Sequence, residues 1–204
     1  MINMEQETLN QELANELISI KGEARGLALK SYGEFILQKK GQKGLERIEE
    51  RLSGLGYPIK YQEIKPMDFY PIGMVALTLL AAKDELNFET ADFLEMGRYG
   101  SKVPMIMRIF MKYLGSLDKV IQEVPGMWRK YYTVGDLEVT SLDKEKRRLT
   151  LRLNNFSLHP IYCRHIPVGY FPFVLQMVIK SPVTCKETKC VHKGDDCHEY
   201  LMEW

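Results

Sequence analysis

The sequence predicts an α+β fold in which an N-terminal helical layer packs on a C-terminal antiparallel sheet. Two observations indicate this order. Apolar residues recur at helical spacing through the first two thirds of the chain, and strict alternation of apolar and polar residues begins after Thr133. The chain has 204 residues, enough for one well-cored domain, and neither a repeat nor a long linker divides it. A single domain over residues 1–204 is therefore predicted.

The helices are predicted from one-sided apolar stripes and from residues that favour helix ends. They cover residues 7–18, 23–38, a segment that ends near residue 52, and residues 74–82, 90–98, 104–113 and 116–131. Gly41 and Gly44 interrupt the second of these helices, and the third follows them. Pro71 is placed to open the fourth, because proline fits the first helical position. Residues 57–64 are expected to be short and extended.

The first helix carries an apolar stripe made by Leu9, Leu13 and Leu17. A terminal helix must bury such a face, either on its own domain or on a second copy of the chain. Residues 1–20 are therefore a possible dimerisation helix, and a homodimer is one expected form of the protein.

The carboxyl third predicts two hairpins that flank one helix, in the order β-β-α-β-β. Leu149, Leu151 and Leu153 alternate with polar residues, and a charged turn joins them to an earlier strand at residues 137–139. An apolar helix with an internal Pro172 follows over residues 166–179. The last two strands are predicted at residues 183–190 and 197–204.

Charge and hydropathy set limits on partners and location. The net charge is +1, which gives no electrostatic reason to expect nucleic acid as a partner. The N-terminus is polar and acidic, unlike a secretion signal, and no apolar run is long enough to span a bilayer. A cytoplasmic protein with reduced thiols is therefore expected.

Three of the four cysteines lie close together near the carboxyl end, and they predict a structural zinc site. Cys190 and Cys197 flank a glycine-containing turn, so antiparallel pairing would bring both thiols to one metal. The other ligands are left open by spacing alone. Cys163 and Glu187 are the leading candidates, and the competitors are Cys185, His192 and His198.

Strand geometry sets a condition on this site. On a regular strand Glu187 and Cys190 face opposite sides, so both can bind one ion only if the strand bulges or ends before Cys190. The alternative is that the cysteines are packed apolar side chains. Nucleophilic catalysis is not favoured, because no feature pairs one histidine with one thiol as its base.

The stretch from Cys163 to the end of the chain resembles the 4-vinyl reductase (4VR), or hydrocarbon-binding, domain family. The resemblance is carried by Cys163, the Gly169-Tyr170 pair, Glu187-x-x-Cys190, Gly194 and Cys197, followed by an aromatic strand. More distantly, the order of elements is similar to trafficking subunits of the TRAPP type and to haem-based nitric-oxide sensors.

The resemblance implies a structural zinc held by Cys163, Glu187, Cys190 and Cys197, within a sheet portion at residues 133–204. The gap from Cys190 to Cys197 is one residue shorter than in the aromatic-responsive activators of that family, which leaves the turn geometry open. The resemblance further implies a sensing domain for small apolar or aromatic ligands. The activators join it to an ATPase and a DNA-binding domain, so signalling here is expected through a partner protein or the oligomer.

The function predicted is thus non-catalytic binding of a small apolar or aromatic molecule. Side chains near the helix-to-sheet junction are candidates to line its pocket: Trp128, Tyr131, Phe156, His159, Phe171 and Phe173. One alternative is a tetrapyrrole-related reductase or accessory protein, and another is a scaffold resembling the trafficking subunits. Haem-based gas sensing ranks last, because the Y-x-S-x-R motif that clamps the porphyrin carboxylates is not present.

Overall fold

Helices precede a four-stranded sheet in the computed structural model, which describes residues 7–100 and 116–204. The described helices are α1 (Gln11–Ser19), α2 (Gly26–Gly54), α3 (Gly73–Leu86), α4 (Thr90–Gly100), α5 (Leu117–Tyr131), α6 (Pro160–Cys163) and α7 (Ile166–Ile179). The described strands are β1 (Glu23–Arg25), β2 (Phe69–Pro71), β3 (Asp136–Asp143), β4 (Arg148–Asn154), β5 (Thr184–Lys189) and β6 (His198–Glu203). The α+β class is confirmed. The helix predicted over residues 104–113 lies outside the described residues.

The large sheet has the strand order β3-β4-β6-β5, and every neighbouring pair is antiparallel. Helix α7 lies between the two hairpins in sequence, so the β-β-α-β-β order is also confirmed. Leu151 of β4 is paired with Tyr200 of β6, and both are buried on the face that packs towards the helices. The opposite face carries cross-strand ion pairs such as Arg152 with Glu199. The alternation in the sequence therefore separates a buried face from a solvated one.

Helix α2 is longer than predicted because only one of the two glycines expected to interrupt it does so. Gly41 has φ 71°, a left-handed conformation that glycine adopts without steric cost, and the helix kinks there. Gly44 stays helical and buried. The predicted break is therefore correct at Gly41 and wrong at Gly44.

A small ribbon of β1 and β2 was not predicted, and it moves two helix boundaries. Residues 23–25 pair with Phe69–Pro71, so helix α2 begins only at Gly26. Pro71 ends β2 instead of opening a helix, and α3 begins at Gly73. Residues 57–64, expected to be extended, contain a short 3-10 helix at Tyr61–Glu63. Strand pairing over such short segments is tertiary and leaves no periodic signal in the sequence.

The apolar stripe of α1 is buried within its own chain. Leu9, Leu13 and Leu17 are at most 7% exposed, and α1 packs against α3. The backbone carbonyl of Leu17 lies so close to Gly73 that a Cβ there would stand 2.2 Å from it. Of the two destinations for this stripe, packing on its own domain is the one observed, and the predicted homodimer stays untested.

Helices α4 and α7 cross at a close contact between backbones. A Cβ at Gly169 would lie 2.2 Å from the carbonyl oxygen of Leu94, and one at Gly97 would lie 2.5 Å from that of Ile166. Glycine at both positions lets the two helices approach, which fixes α7 between the helical layer and the sheet. This placement forms one wall of the cavity described below.

Candidate functional site

A cluster of thiol, imidazole and carboxylate groups lies where α6, the end of β5 and the start of β6 meet. Cys163 is the last residue of α6, Glu187 lies in β5, and Cys190 follows that strand directly. His198 is the first residue of β6, and His192 belongs to the short 3-10 helix between the two strands. Cys163, Cys190 and His198 are fully buried at 0% exposure, and only 6% of the Glu187 side chain is exposed.

The imidazole of His198 connects the members of this cluster. Its Nε2 lies 3.4 Å from Sγ of Cys163, and its Nδ1 lies 3.0 Å from Oε1 of Glu187. Two sets of possible metal ligands result, in each of which the donor atoms lie within 4.8 Å of one another. One set is Cys163, His192 and His198, and the other is Glu187, Cys190 and His198. His198 is common to both.

The strand condition stated for Glu187 and Cys190 is met. The register of β5 against β6 shifts between Glu187 and Lys189, and β5 ends at Lys189. The backbone N–H of Cys190 then donates a 2.7 Å hydrogen bond to Oδ2 of Asp195 in the turn. The bulge and the early strand end together bring Glu187 and Cys190 to the same side.

Two cysteines stand outside both sets of possible ligands among the described residues. Cys185, in β5, is half-buried. Cys197 is buried, but its thiol is hydrogen-bonded to Asp196 and lies near Arg152 and Lys189. Of the four predicted ligands, Glu187 and Cys190 therefore share one set and Cys163 belongs to the other, and His198, not Cys197, is common to both.

The thiols of the cluster are poor nucleophiles without a metal. Burial raises the pKa of Cys163 well above its usual value, and the nearby Glu187 and Cys190 add to this. Burial is also the first cause that raises the pKa of Cys190. A neutral thiol does not attack carbonyls, whereas a bound divalent cation would favour the thiolate. The electrostatics of the cluster thus fit metal binding better than cysteine catalysis.

His192 has the hydrogen bond that commonly orients a metal-binding imidazole. Its Nε2 lies 2.6 Å from the carbonyl oxygen of Leu158, so it donates there and leaves Nδ1 as the acceptor. His159 is engaged elsewhere. Its Nδ1 accepts from the backbone N–H of Ile161, and its Nε2 lies 3.2 Å from Oε2 of Glu7.

An apolar cavity of about 180 Å³ lies between the helices and the buried face of the sheet. Helices α2, α5 and α7 and strands β3, β4 and β6 contribute to its wall. Residues typical of that wall are Ala28, Val120, Val124, Leu151, Phe171 and Leu175. Helix α5 covers one side with most of its apolar face, although only Val120 and Trp128 of that helix are buried.

A few polar groups interrupt this apolar wall. The hydroxyls of Tyr132 and Tyr162 lie 3.0 Å apart, and Nε1 of Trp128 donates a 3.0 Å hydrogen bond to the carbonyl oxygen of Val134. Arg25 stands over the ring of Phe69, with its guanidinium carbon 3.8 Å from the ring centre. The wall is thus apolar with a small number of fixed hydrogen-bonding groups, as in many ligand sites.

Three of the six side chains proposed for the pocket line it: Trp128, Tyr131 and Phe171. Phe156, His159 and Phe173 are not among the described lining residues, and Phe156 instead packs edge-on against Trp128. The pair Tyr132 and Tyr162 was missed, because no local pattern distinguishes them from core tyrosines. All four histidines fall in the described part of the chain, and none of them lines this cavity.

Among the described residues, no helix combines the length and apolar character needed to cross a membrane.

Neither a protein-family model nor a curated protein matches the sequence. Solved structures do match. An H-NOX protein from S. oneidensis in the Fe(II)NO ligation state has TM-score 0.61 and 13% identity, over 88% of this chain and 98% of that chain. The unliganded Fe(II) H-NOX protein from K. algicida has TM-score 0.58 and 11% identity, over 88% of this chain and 95% of that chain.

A third match, a Cs H-NOX variant with 4-cyano-L-phenylalanine, has TM-score 0.58 and 14% identity, over 88% of this chain and 95% of that chain. At such identities the comparison shows a common fold alone. The distant similarity in element order to haem-based nitric-oxide sensors is therefore confirmed at the level of the fold.

Proposed function

We propose that this chain is a non-catalytic small-molecule-binding domain with the fold seen in H-NOX proteins, and that its ligand is apolar or aromatic. The observation that carries the proposal is the cavity of about 180 Å³ under α5. An apolar cavity of about 150 Å³ in another protein stays dry and accepts benzene. A single aromatic ring with a small substituent therefore matches the space available here.

The shape of the wall supports the same ligand class. Ala28, Leu151 and Phe171 approach from three different elements, so a ring would contact apolar atoms on all sides. The hydroxyls of Tyr132 and Tyr162 provide one place for a polar substituent. Binding would stabilise the arrangement in which α5 covers the cavity, and so shift an equilibrium between forms of the domain. Such a shift is the form of signal proposed for a partner protein or for the oligomer.

A structural zinc at the cluster of Cys163, Glu187 and Cys190 is part of the proposal. It is supported by two sets of donor atoms that share His198, one with Glu187 and Cys190 and the other with Cys163 and His192, and by the resemblance to the hydrocarbon-binding family. The ion would join α6 to the hairpin of β5 and β6, and it would hold Tyr162 beside the cavity because Tyr162 precedes Cys163 in α6. It would supply no chemistry beyond this structural link.

The binding proposal can be tested with the fluorescence of Trp128, which lines the cavity. The chain has only two tryptophans, so Trp204→Phe leaves Trp128 as the only reporter. Toluene is the probe, titrated against this variant in sealed cells. We expect a saturable change in emission together with a rise in melting temperature, since a ligand that binds only the folded state stabilises it.

A matched pair of variants gives the control. Ala28→Leu puts bulk into the cavity, whereas Ala91→Leu puts the same bulk on an exposed position of α4. Toluene binding should disappear in the first variant and persist in the second, with both proteins folded. Equal binding in both variants, or none in the parent, would contradict the proposed site.

Haem is the second candidate ligand, because the matched structures are H-NOX proteins, and the S. oneidensis and K. algicida proteins were solved in Fe(II) states. The residues of this chain fit it less well. No histidine lines the cavity, which leaves tyrosines and methionines such as Tyr131 and Met127 as axial ligands among the described residues. The cavity also matches a single ring better than a porphyrin with its four pyrroles. A Soret band after purification from haem-supplied cells, or after addition of haemin, would favour haem over the apolar ligand.

A further inference from the structure

We infer that His198, and not Cys197, is the fourth ligand of the metal site, together with Cys163, Glu187 and Cys190. The inference rests on the structural zinc proposed above and changes its ligand set. It would make the site one with two thiolates, one carboxylate and one imidazole.

Alternate side chains of β6 lie on the buried face of the sheet. His198, Tyr200 and Met202 alternate with half-buried residues, and all three lie on the buried face of the sheet. His198 is paired with Leu153, which is itself completely buried. Cys197 precedes this strand by one residue and lies in the bend that leads into it.

The Cys197 thiol has different surroundings from the thiols of the cluster. It is hydrogen-bonded to Asp196, and the charged groups near it include Arg152 and Lys189. Arg152 belongs to the solvated face, where it forms an ion pair with Glu199. The Cys197 thiol therefore has charged neighbours, and among the described residues it belongs to neither set of donor atoms.

The distance between His198 and Cys163 fits two ligands of one zinc ion. Ligand atoms of a tetrahedral zinc with bonds of about 2.0–2.3 Å lie about 3.3–3.8 Å apart. Nε2 of His198 and Sγ of Cys163 are 3.4 Å apart, within that range. Nδ1 of His198 lies 3.0 Å from Oε1 of Glu187. An imidazole binds an ion through one nitrogen, so Cys163 at Nε2 and Glu187 at Nδ1 can bind the same ion only if one of them moves. His198 is the side chain that both sets of donors share.

The net charge of the site favours His198 over Cys197 as the fourth ligand. Two thiolates and one carboxylate around a divalent cation leave one negative charge, whereas a third thiolate would leave two in a buried site.

The test measures bound metal and the number of thiolates around it. Wild type, Cys197→Ser, His198→Ala and His198→Cys are purified whole, loaded with zinc for metal analysis, and loaded with cobalt(II) for absorption spectroscopy. Thiolate-to-cobalt charge-transfer absorption grows with the number of thiolate ligands.

We expect Cys197→Ser to bind one zinc per chain and to give the same cobalt spectrum as wild type. His198→Ala should lose zinc affinity by more than about 100-fold, since even groups that only orient a ligand change it by about 10–100-fold. His198→Cys should bind cobalt with stronger charge-transfer absorption than wild type, because a third thiolate has replaced the imidazole.

Loss of zinc in Cys197→Ser, with retention in His198→Ala, would overturn the inference and leave the proposed zinc site standing. Absence of zinc from the wild type would remove the zinc site itself. If His198→Ala does not fold, Cys197→Ser and His198→Cys still decide the question, because an unchanged thiolate count in Cys197→Ser requires that Cys197 is not a ligand.

Discussion

The polar cluster at the start of β6 and the apolar cavity beneath α5 are built on opposite physical principles. In the cluster each buried group depends on a partner, as His198 does on Cys163 and Glu187. Removal of one member leaves the others buried and unpaired, which is costly. The cavity wall consists of side chains such as Val124 and Leu151, which need no particular partner. The cluster should therefore be intolerant of substitution, whereas the cavity should tolerate changes of volume and respond to a ligand.

The largest expected effect comes from loss of the metal. Cys190→Ser, or treatment of the wild type with a strong chelator, should lower the free energy of unfolding by more than about 4 kcal/mol, the range in which loss of a bound metal falls. The measurement is urea unfolding with and without added zinc. Zinc should raise the urea midpoint of the wild type and leave that of Cys190→Ser unchanged. A wild-type midpoint that does not respond to chelation would show that the cluster is stable without an ion.

A comparison of two leucines would test whether the cavity wall tolerates a loss of volume better than the packed core does. Leu77 is completely buried in α3, and Leu151 lies in the cavity wall. Leu77→Ala should cost about 2–5 kcal/mol. Leu151→Ala should fall at the lower end of that range, because one side of Leu151 already faces a void and fewer contacts are lost.

Toluene should change the stability of these two variants by different amounts. It should restore more stability to Leu151→Ala than to the wild type, since the enlarged cavity opens on the ligand site, and it should leave Leu77→Ala without this extra gain. Thermal unfolding at several toluene concentrations gives the measurement. An equal response of the two variants would mean that the cavity is not where toluene binds.

The two regions also differed in how much the sequence revealed. Cysteine is chemically distinctive, so spacing and the resemblance could indicate Cys163, Glu187 and Cys190 as ligands. The structure places Glu187 and Cys190 in one set of donor atoms and Cys163 in the other. The assignment of the fourth group depended on the register of one strand. A shift of one residue exchanges the faces of a strand, and spacing alone does not determine that register.

The cavity could not be predicted in the same way. Its wall combines side chains of many elements, and most of them have the appearance of ordinary core residues in the sequence. Trp128, Tyr131 and Phe171 were identified because they are large aromatic side chains near the helix-to-sheet junction. Ala28 and Leu151 gave no signal, because a void is a property of how elements pack and has no local pattern. The same reason explains why the β1 and β2 ribbon was missed while the alternating β4 strand was found.

Alkaline pH should weaken the cavity side of the molecule. Burial raises the pKa of Tyr32, Tyr132 and Tyr170 above the ordinary value. A raised pKa means that the folded state favours the neutral phenol. Stability is thus complete below about pH 10, the value in the unfolded chain, and is lost as pH rises towards the folded-state pKa.

Urea midpoints measured at increasing pH above neutrality would show this loss. Tyr132→Phe should make the decline less steep, because one ionising group has been removed from the buried set. The same slope in the variant and in the wild type would assign the alkaline loss to other groups.

The smallest effect is expected at Cys185, which provides the matched control for the cluster. It lies two residues from Glu187 in the same strand, yet it belongs to neither set of possible ligands among the described residues. Burial raises its pKa to about 12, and the charge of Glu187 adds to this, so the thiol is neutral and acts as a small apolar side chain.

Cys185→Ser should therefore change the free energy of unfolding by about 1 kcal/mol or less and leave the zinc content at the wild-type value. Metal analysis beside urea unfolding gives both quantities. If zinc were lost here as in Cys190→Ser, the cluster would depend on the number of cysteines nearby. If zinc is retained, what matters is the position of each donor, because Cys185 has the same chemistry as Cys190 and lacks only its place beside His198.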